Sequence, residues 1–317
     1  MTAAADGGAG LLLCVGRVYC DLVFRGVSAM PRLGEERFAE DFALAPGGGA
    51  FITAAHATAL GAPAALVARL GLDPLAEAIA PTLAEGGVDL RFLERAPDAG
   101  PQLTVVVVHE GERAFLSRRA GGARPATLDA ALADPRARWL HVAEAATLAE
   151  IPDLVPRAKQ AGLSVSVDPS WDDALIRSPE LLARCAGADV FMPNAAEARA
   201  ITGCEDLGEA GARLAGLFPT VVVKDGERGA TLHDASGVLA LPAPNGGPVV
   251  DTTGAGDAFN AGYIAALLMN RPAPEALAQG VASGSLSVRA MGGAAVRLVP
   301  TIVAALATEI LREARDA

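Results

Sequence analysis

The sequence predicts an α/β fold: a mostly parallel central sheet with helices on both faces and a small β-strand lid. Three observations predict it. Short apolar runs alternate with amphipathic stretches along most of the 317 residues, the pattern of strands buried on both faces and the helices that cover them. Apolar residues make up 51% of the chain, enough to bury one large core as a single domain over 1–317. Early in the chain, segments of mixed polarity interrupt the alternation, and these supply the lid.

The run at 11–15 is continuously apolar and stops at Gly16, as a doubly buried strand should. Segments 21–27 and 37–44 are short and mixed, with Pro31 and Gly34 between them, and read as a strand pair leaving the main sheet. Pro46-Gly47-Gly48-Gly49 introduces a helix over 51–60, an apolar strand at 64–68 and a helix near 74–85. Strands at 103–109 and 113–117 flank a turn at Glu110-Gly111-Glu112. With the earlier pair they place the lid within about 17–45 and 103–119. Strands follow at 139–142, 164–167, 190–192 and 220–224, with helices at 151–161 and 195–202, and three helical stretches begin near Ala255, Ala273 and Thr301.

A formal charge of −11 argues against nucleic-acid binding, so an anionic substrate needs a locally positive site. Cys14, Cys20, Cys185 and Cys204 form no CxxC pair, and His56, His109, His141 and His233 lack metal-ligand spacing. These read as buried thiols in a reducing compartment and as structural or surface imidazoles. The N-terminus has no basic region, and the first apolar run is too short to span a bilayer; a cytoplasmic protein without membrane contact is expected.

The most informative segment is Asp251-Thr252-Thr253-Gly254-Ala255-Gly256-Asp257-Ala258-Phe259, which runs into an amphipathic helix. Two glycines let the backbone turn tightly, and the helix start adds unpaired amides and a positive dipole end, a combination suited to an anion. A carboxylate there repels phosphate. Asp257 therefore has a task that outweighs the repulsion: taking the proton from a hydroxyl that attacks the phosphate. The bland alternative is an ordinary first-turn acid after a glycine loop. Phe259 stands where a dinucleotide fingerprint needs a third glycine, and the chain's two lysines, Lys159 and Lys224, do not sit in a phosphate-loop motif.

In parallel sheets ligands bind at the carboxyl ends of the strands. Asp21, the glycines 47–49, Asp168, Asn194, Glu197, Lys224, Asp225 and Asp251 all fall on such loops. Each has a structural explanation: Asn194 and Glu197 have capping-box spacing, Asp168 before Pro169 suits a turn, and Lys224 suits a strand end. Their gathering on one sheet edge favours a site.

These residues resemble the ribokinase-like carbohydrate kinases, the PfkB family, along nearly the whole chain. The segment from Asp251 to Phe259 is similar to the family's C-terminal signature, Asn194-Ala195-Ala196-Glu197 to its Asn-x-x-Glu motif, and Lys224 to Ala230 to its nucleotide-side strand and turn. Gly47-Gly48 looks like its N-terminal diglycine, preceded at the usual interval by Asp21. The resemblance implies ATP-dependent phosphotransfer to a hydroxyl of a sugar or sugar-like molecule. Asp257 would be the base, with the amides of Gly254, Ala255 and Gly256 around the transferred phosphoryl group. Asn194 and Glu197 would organise Mg²⁺ through water, and Lys224, Gly226 and Thr252 would lie along ATP. Asp21, Gly47 and Gly48 would face the sugar. A monovalent cation, K⁺, is implied near Asp251, Thr253 and Gly293.

One departure concerns the acceptor: the asparagine that usually bonds a sugar hydroxyl is replaced by Ile52, which offers no donor or acceptor. Tyr19 and Glu144 stand at strand ends where polar contacts to the substrate would replace it. A nucleoside kinase of adenosine-like specificity and a non-catalytic nucleotide or sugar sensor remain the alternatives. Exposed lid strands invite edge pairing, so a homodimer is expected.

Overall fold

The computed structural model describes residues 10–109, 112–244, 247, 249–289, 292–294 and 296–316. Of the expected turn at 110–112, Glu110 and Gly111 lie outside these residues, as does the N-terminal segment 1–9. The first half runs β1 (Leu11–Val15), β2 (Tyr19–Arg25), β3 (Asp41–Gly47), α1 (Gly49–Ala59), β4 (Ala64–Leu70), α2 (Pro74–Glu85), β5 (Leu93–Arg95), β6 (Leu103–His109), β7 (Glu112–Arg118), α3 (Leu128–Leu132) and β8 (Ala137–Val142). Next come α4 (Ala146–Glu150), α5 (Leu154–Gln160), β9 (Ser164–Val167), α6 (Pro179–Cys185), β10 (Val190–Phe191), α7 (Ala195–Thr202), α8 (Leu207–Ala215) and β11 (Thr220–Lys224). The chain closes with β12 (Ala230–Asp234), β13 (Gly237–Leu241), α9 (Ala255–Leu268), α10 (Ala273–Ser287) and α11 (Pro300–Asp316).

Nine strands form the main sheet in the order β13-β12-β11-β10-β9-β8-β1-β4-β5. All pairings from β11 to β5 are parallel, and only the β12–β13 edge is antiparallel. The apolar runs are continuous because both faces are covered: Leu12 and Cys14 pack into one core with α1, α9 and α10, while Leu11, Leu13 and Val15 pack into the other with α4, α5 and α8. The expected fold class is confirmed.

A second sheet, ordered β3-β2-β6-β7, stands apart and forms the lid. Its first two strands lie at Tyr19–Arg25 and Asp41–Gly47, whereas 21–27 and 37–44 were expected. The correction follows from pairing: Tyr19 stands opposite Gly47 and Arg25 opposite Asp41, leaving Pro31 and Gly34 in a long connection. The helix expected at 151–161 is present as the shorter α5, and α4, which ends just before that span, was not expected. No helix among the described residues is long and apolar enough to cross a membrane.

Candidate active site

The ends of β1, β8, β9, β10 and β11 meet the starts of α1, α7 and α9 at a cleft of about 1340 Å³, walled on one side by the lid residues Thr104, Val106, Phe115 and Ser117. Of the residues expected from the sequence, the cleft is lined by Tyr19, Asp21, Gly48, Ile52, Glu144, Asn194, Glu197, Lys224, Gly226, Thr252, Thr253, Gly254, Ala255, Gly256 and Asp257. Gly47, Asp251 and Gly293 are not among the lining residues.

The glycine turn is built for close approach. Gly254 caps α9 in the left-handed region (φ 71°) and contributes no side-chain hydrogen bond. A Cβ there would lie 2.7 Å from Gly293 Cα and 3.1 Å from Ile52 Cγ2, so only glycine fits without displacement. Asp251 pins the turn: its Oδ1 accepts from Thr253 N at 2.8 Å and Thr253 Oγ1 at 2.7 Å, and its Oδ2 from Gly292 N at 2.8 Å. The Ala255 amide donates to the Thr252 carbonyl at 3.2 Å. Among the described residues the amides of Gly254, Gly256 and Asp257 find no protein acceptor, which leaves a helix N-terminus open to an anion.

Asp257 stands on the first turn of α9, its carboxylate lying against Gly49, where a Cβ would come within 2.7 Å of Oδ1. Sequence reasoning assigned Gly49 no role; it makes room for the Asp257 carboxylate from across the cleft floor. Burial pushes the Asp257 carboxyl up to about 7, reinforced by Asp168 and opposed by Lys224. A carboxyl poised there changes protonation near neutrality, as a general base should.

Lys224 lies beneath the turn. Its ammonium donates to Asp168 Oδ2 at 2.6 Å and Asn260 Oδ1 at 3.3 Å, and Asn260 Nδ2 also donates to Asp168 Oδ2 at 2.6 Å. The Cβ position of Gly256 is 3.5 Å from Lys224 Nζ, so a positive charge sits directly behind the open amides. Burial opposes that charge, yet Asp168 and then Glu197 hold the Lys224 pKa above its ordinary value. Burial likewise opposes ionisation of Asp168, but Lys224 keeps it below the usual carboxylate range. Asp168 forms the expected turn, its Oδ1 accepting from Ser170 N at 3.0 Å, and its Oδ2 is also the ammonium's counterion. Asn260 was missed; its signal was position, one turn beyond Asp257 on the same helix face.

At α7 the capping box is complete. Glu197 N donates to Asn194 Oδ1 at 2.9 Å and Asn194 N donates to Glu197 Oε2 at 2.8 Å. Glu197 is buried, and burial followed by the neighbouring Asp168 pushes it up to about 7. No group of three or more His, Cys, Asp or Glu able to cage a metal exists among the described residues. The pair lines the cleft and suits the outer hydration shell of a divalent ion rather than direct ligation.

The acceptor end is mixed in character. Burial raises Asp21 to about 7, and its carboxylate packs where a Gly47 Cβ would stand. Arg119 pairs with Asp172 at 2.8 Å and bonds the Tyr19 hydroxyl. Glu144 Oε1 accepts from Arg17 N at 3.3 Å. Ile52 packs on Gly254 and Gly293, so this side of the floor is apolar. Two exposed aromatics, Phe115 (59%) and Trp171 (46%), line the same cleft.

The three groups expected around a monovalent cation are already engaged by the protein. Gly293 O accepts from His56 Nε2 at 2.8 Å. Asp251 Oδ1 also accepts from Arg113 Nη1 on lid strand β7 at 2.6 Å, and the same guanidinium bonds the hydroxyls of Thr253 and Thr252.

A family model described as pfkB family carbohydrate kinase matches residues 10–299. The chain is similar to the fructokinase of Klebsiella pneumoniae, 34% identical over 243 residues that cover 70% of this chain and 76% of that one. It is also similar to the bifunctional protein HldE of Azotobacter vinelandii, 32% identical over 265 residues, covering 78% of this chain but 53% of that longer protein. The structure of Arabidopsis thaliana ribokinase, solved with ribose and ATP, matches with a TM-score of 0.82 at 24% identity, covering 95% of this chain and 99% of that one. That likeness shows the fold, as the sequence resemblance implied.

Proposed function

The chain belongs to the pfkB family of carbohydrate kinases, and from that premise we propose that it transfers the γ-phosphoryl group of ATP to a hydroxyl of a sugar or sugar-like small molecule. One observation carries the reading: the Asp257 carboxylate stands on the first turn of a glycine-capped helix, beside its open amides, within a cleft of substrate size.

Asp257, once ionised, accepts the acceptor's hydroxyl proton as that oxygen attacks the phosphoryl group. The new P–O bond forms as the bond to ADP breaks. The amides of Gly254 and Gly256 donate to the oxygens of the migrating group, and Lys224 supplies charge from behind. Stabilisation of this kind is worth about 10²–10³ in rate per donor. Gly226, with open space at its Cβ position, and Thr252 flank the path of the nucleotide. Mg²⁺, when bound, offsets charge on the phosphates, with Glu197 and Asn194 orienting its waters. Tyr19, Asp21, Glu144 and Gly48 face the acceptor, and the lid excludes water that would compete for the phosphoryl group.

A second reading, a nucleoside acceptor, draws support from Ile52, Phe115 and Trp171, which give the acceptor end apolar and aromatic surface. ADP release measured against ribose, fructose, keto-deoxy sugars and adenosine decides between them. ATP binding by calorimetry with no ADP release on any acceptor would instead support a sensor. The lid also exposes Leu33, Phe38 and Leu116, and we infer a homodimer that covers them; light scattering at the monomer mass would refute it.

A further inference from the structure

We propose that Arg113 is the resident cation of the glycine turn: a guanidinium carried on the lid takes the place of a bound monovalent metal ion and ties lid position to the geometry of the phosphoryl-binding amides. This rests on the phosphotransfer reading above and concerns how its anion site is held.

The donor set is already engaged by a cation. Asp251 Oδ1 accepts three hydrogen bonds, from Thr253 N, Thr253 Oγ1 and Arg113 Nη1, and Oδ2 accepts one, from Gly292 N, so the guanidinium holds the crowded side of the carboxylate. The Thr253 hydroxyl is itself shared with Arg113, and the Gly293 carbonyl accepts from His56. A metal ion entering here would have to displace a cation that is already in place. The Arg113 side chain is 16% exposed and that of Asp251 10%, so the pair is largely shielded from the solvent that weakens surface ion pairs. Arginine suits the task because its planar fork engages Asp251, Thr252 and Thr253 together.

The contact joins residues 138 positions apart. Arg113 belongs to β7, the strand that also brings Phe115 and Ser117 to the cleft, while residues 251–253 lead directly into Gly254. Lid placement and turn placement are thereby one event. Arg113 does not line the cleft; it is a positioning residue acting through Asp251 and the two threonines.

The test compares wild type, Arg113→Ala and Arg113→Lys in potassium chloride and in choline chloride at equal ionic strength. Wild type should show the same turnover and unfolding midpoint in both salts, turnover agreeing within about twofold. Arg113→Ala should lose about tenfold or more in turnover, the scale of a hydrogen bond to a charged group, and recover part of it with added potassium or guanidinium ion. Arg113→Lys should fall between. Hydrogen exchange read at residues 252–256, without substrate, should be faster in Arg113→Ala and slowed again by potassium. A wild-type enzyme stimulated more than tenfold by potassium would overturn the proposal, as would an Arg113→Ala variant with wild-type exchange in both salts. Should no acceptor be phosphorylated at all, the kinase reading fails, while the exchange experiment still decides the role of Arg113.

Discussion

Helices α7 and α9 begin at the same cleft and finish their N-termini in opposite ways. At α7, Asn194 and Glu197 satisfy each other's backbone amides. At α9 the cap is Gly254, which has no side chain to offer, and among the described residues the amides of Gly254, Gly256 and Asp257 are left open. A self-capped end is rigid and electrically quiet, whereas an uncapped one keeps its dipole and donors for a ligand. The contrast teaches that the helix lacking its own cap is the one whose end can receive an anion, and that the capping box satisfies its own helix.

Substitutions can break that contrast. The largest effect is expected at Asp257, where Asp257→Asn should lower turnover by about two orders of magnitude or more and leave ATP affinity nearly unchanged. Retained turnover in steady-state assays would refute its role as base. Gly254→Ala should come next. Its left-handed backbone disfavours any Cβ by about 1–2 kcal/mol, and contact with Gly293 would push the open amides out of line. Chemical denaturation should report that loss of stability, and turnover should fall by about tenfold or more. Asn194→Ala should be the mildest, costing about 1 kcal/mol of unfolding free energy, the usual value of an N-cap. If Asn194→Ala proved more damaging to turnover than Gly254→Ala, the division of labour between the two helices would be reversed.

Acid–base behaviour sharpens the same comparison, because Glu197 on α7 and Asp257 on α9 are both raised to about 7 by burial. Activity (kcat/KM) should rise with pH through about 7 as Asp257 ionises. Stability should move the other way. These carboxyls, with Asp21, hold protons in the folded state that the unfolded chain has already released. Between their unfolded values, 3.8 for Asp and 4.5 for Glu, and about 7, the native state binds more protons, so stability falls as pH rises and levels off above that range. Urea midpoints at several pH values should show this slope, and Asp257→Asn should make it shallower.

Much of the fold was legible. Apolar runs marked the parallel strands because both of their faces are buried, and the Pro and Gly between segments marked the lid connection. The β12–β13 hairpin was not foreseen: His233, Asp234 and Gly237 interrupt its alternation, and its outer strand is largely exposed. Short α8 escaped notice as well, since Gly208 and Gly211 dilute its helical pattern. In the site, Asp257, the glycine turn and the Asn194–Glu197 pair were visible because their chemistry is compressed into a few consecutive residues.

By itself the sequence determined the alternation of strands and helices, the left-handed glycine ahead of α9 and the i,i+3 capping box, all of which depend on neighbours within one turn. Only the tertiary structure decided that Lys224 meets Asp168 across 56 residues, that Asn260 meets it across 92, and that Arg113 reaches Asp251 across 138. The physical reason is range. Backbone preference and periodic burial act locally and leave a pattern, whereas the partner of a buried charge is set by sheet order and lid placement, which no short stretch of chain encodes.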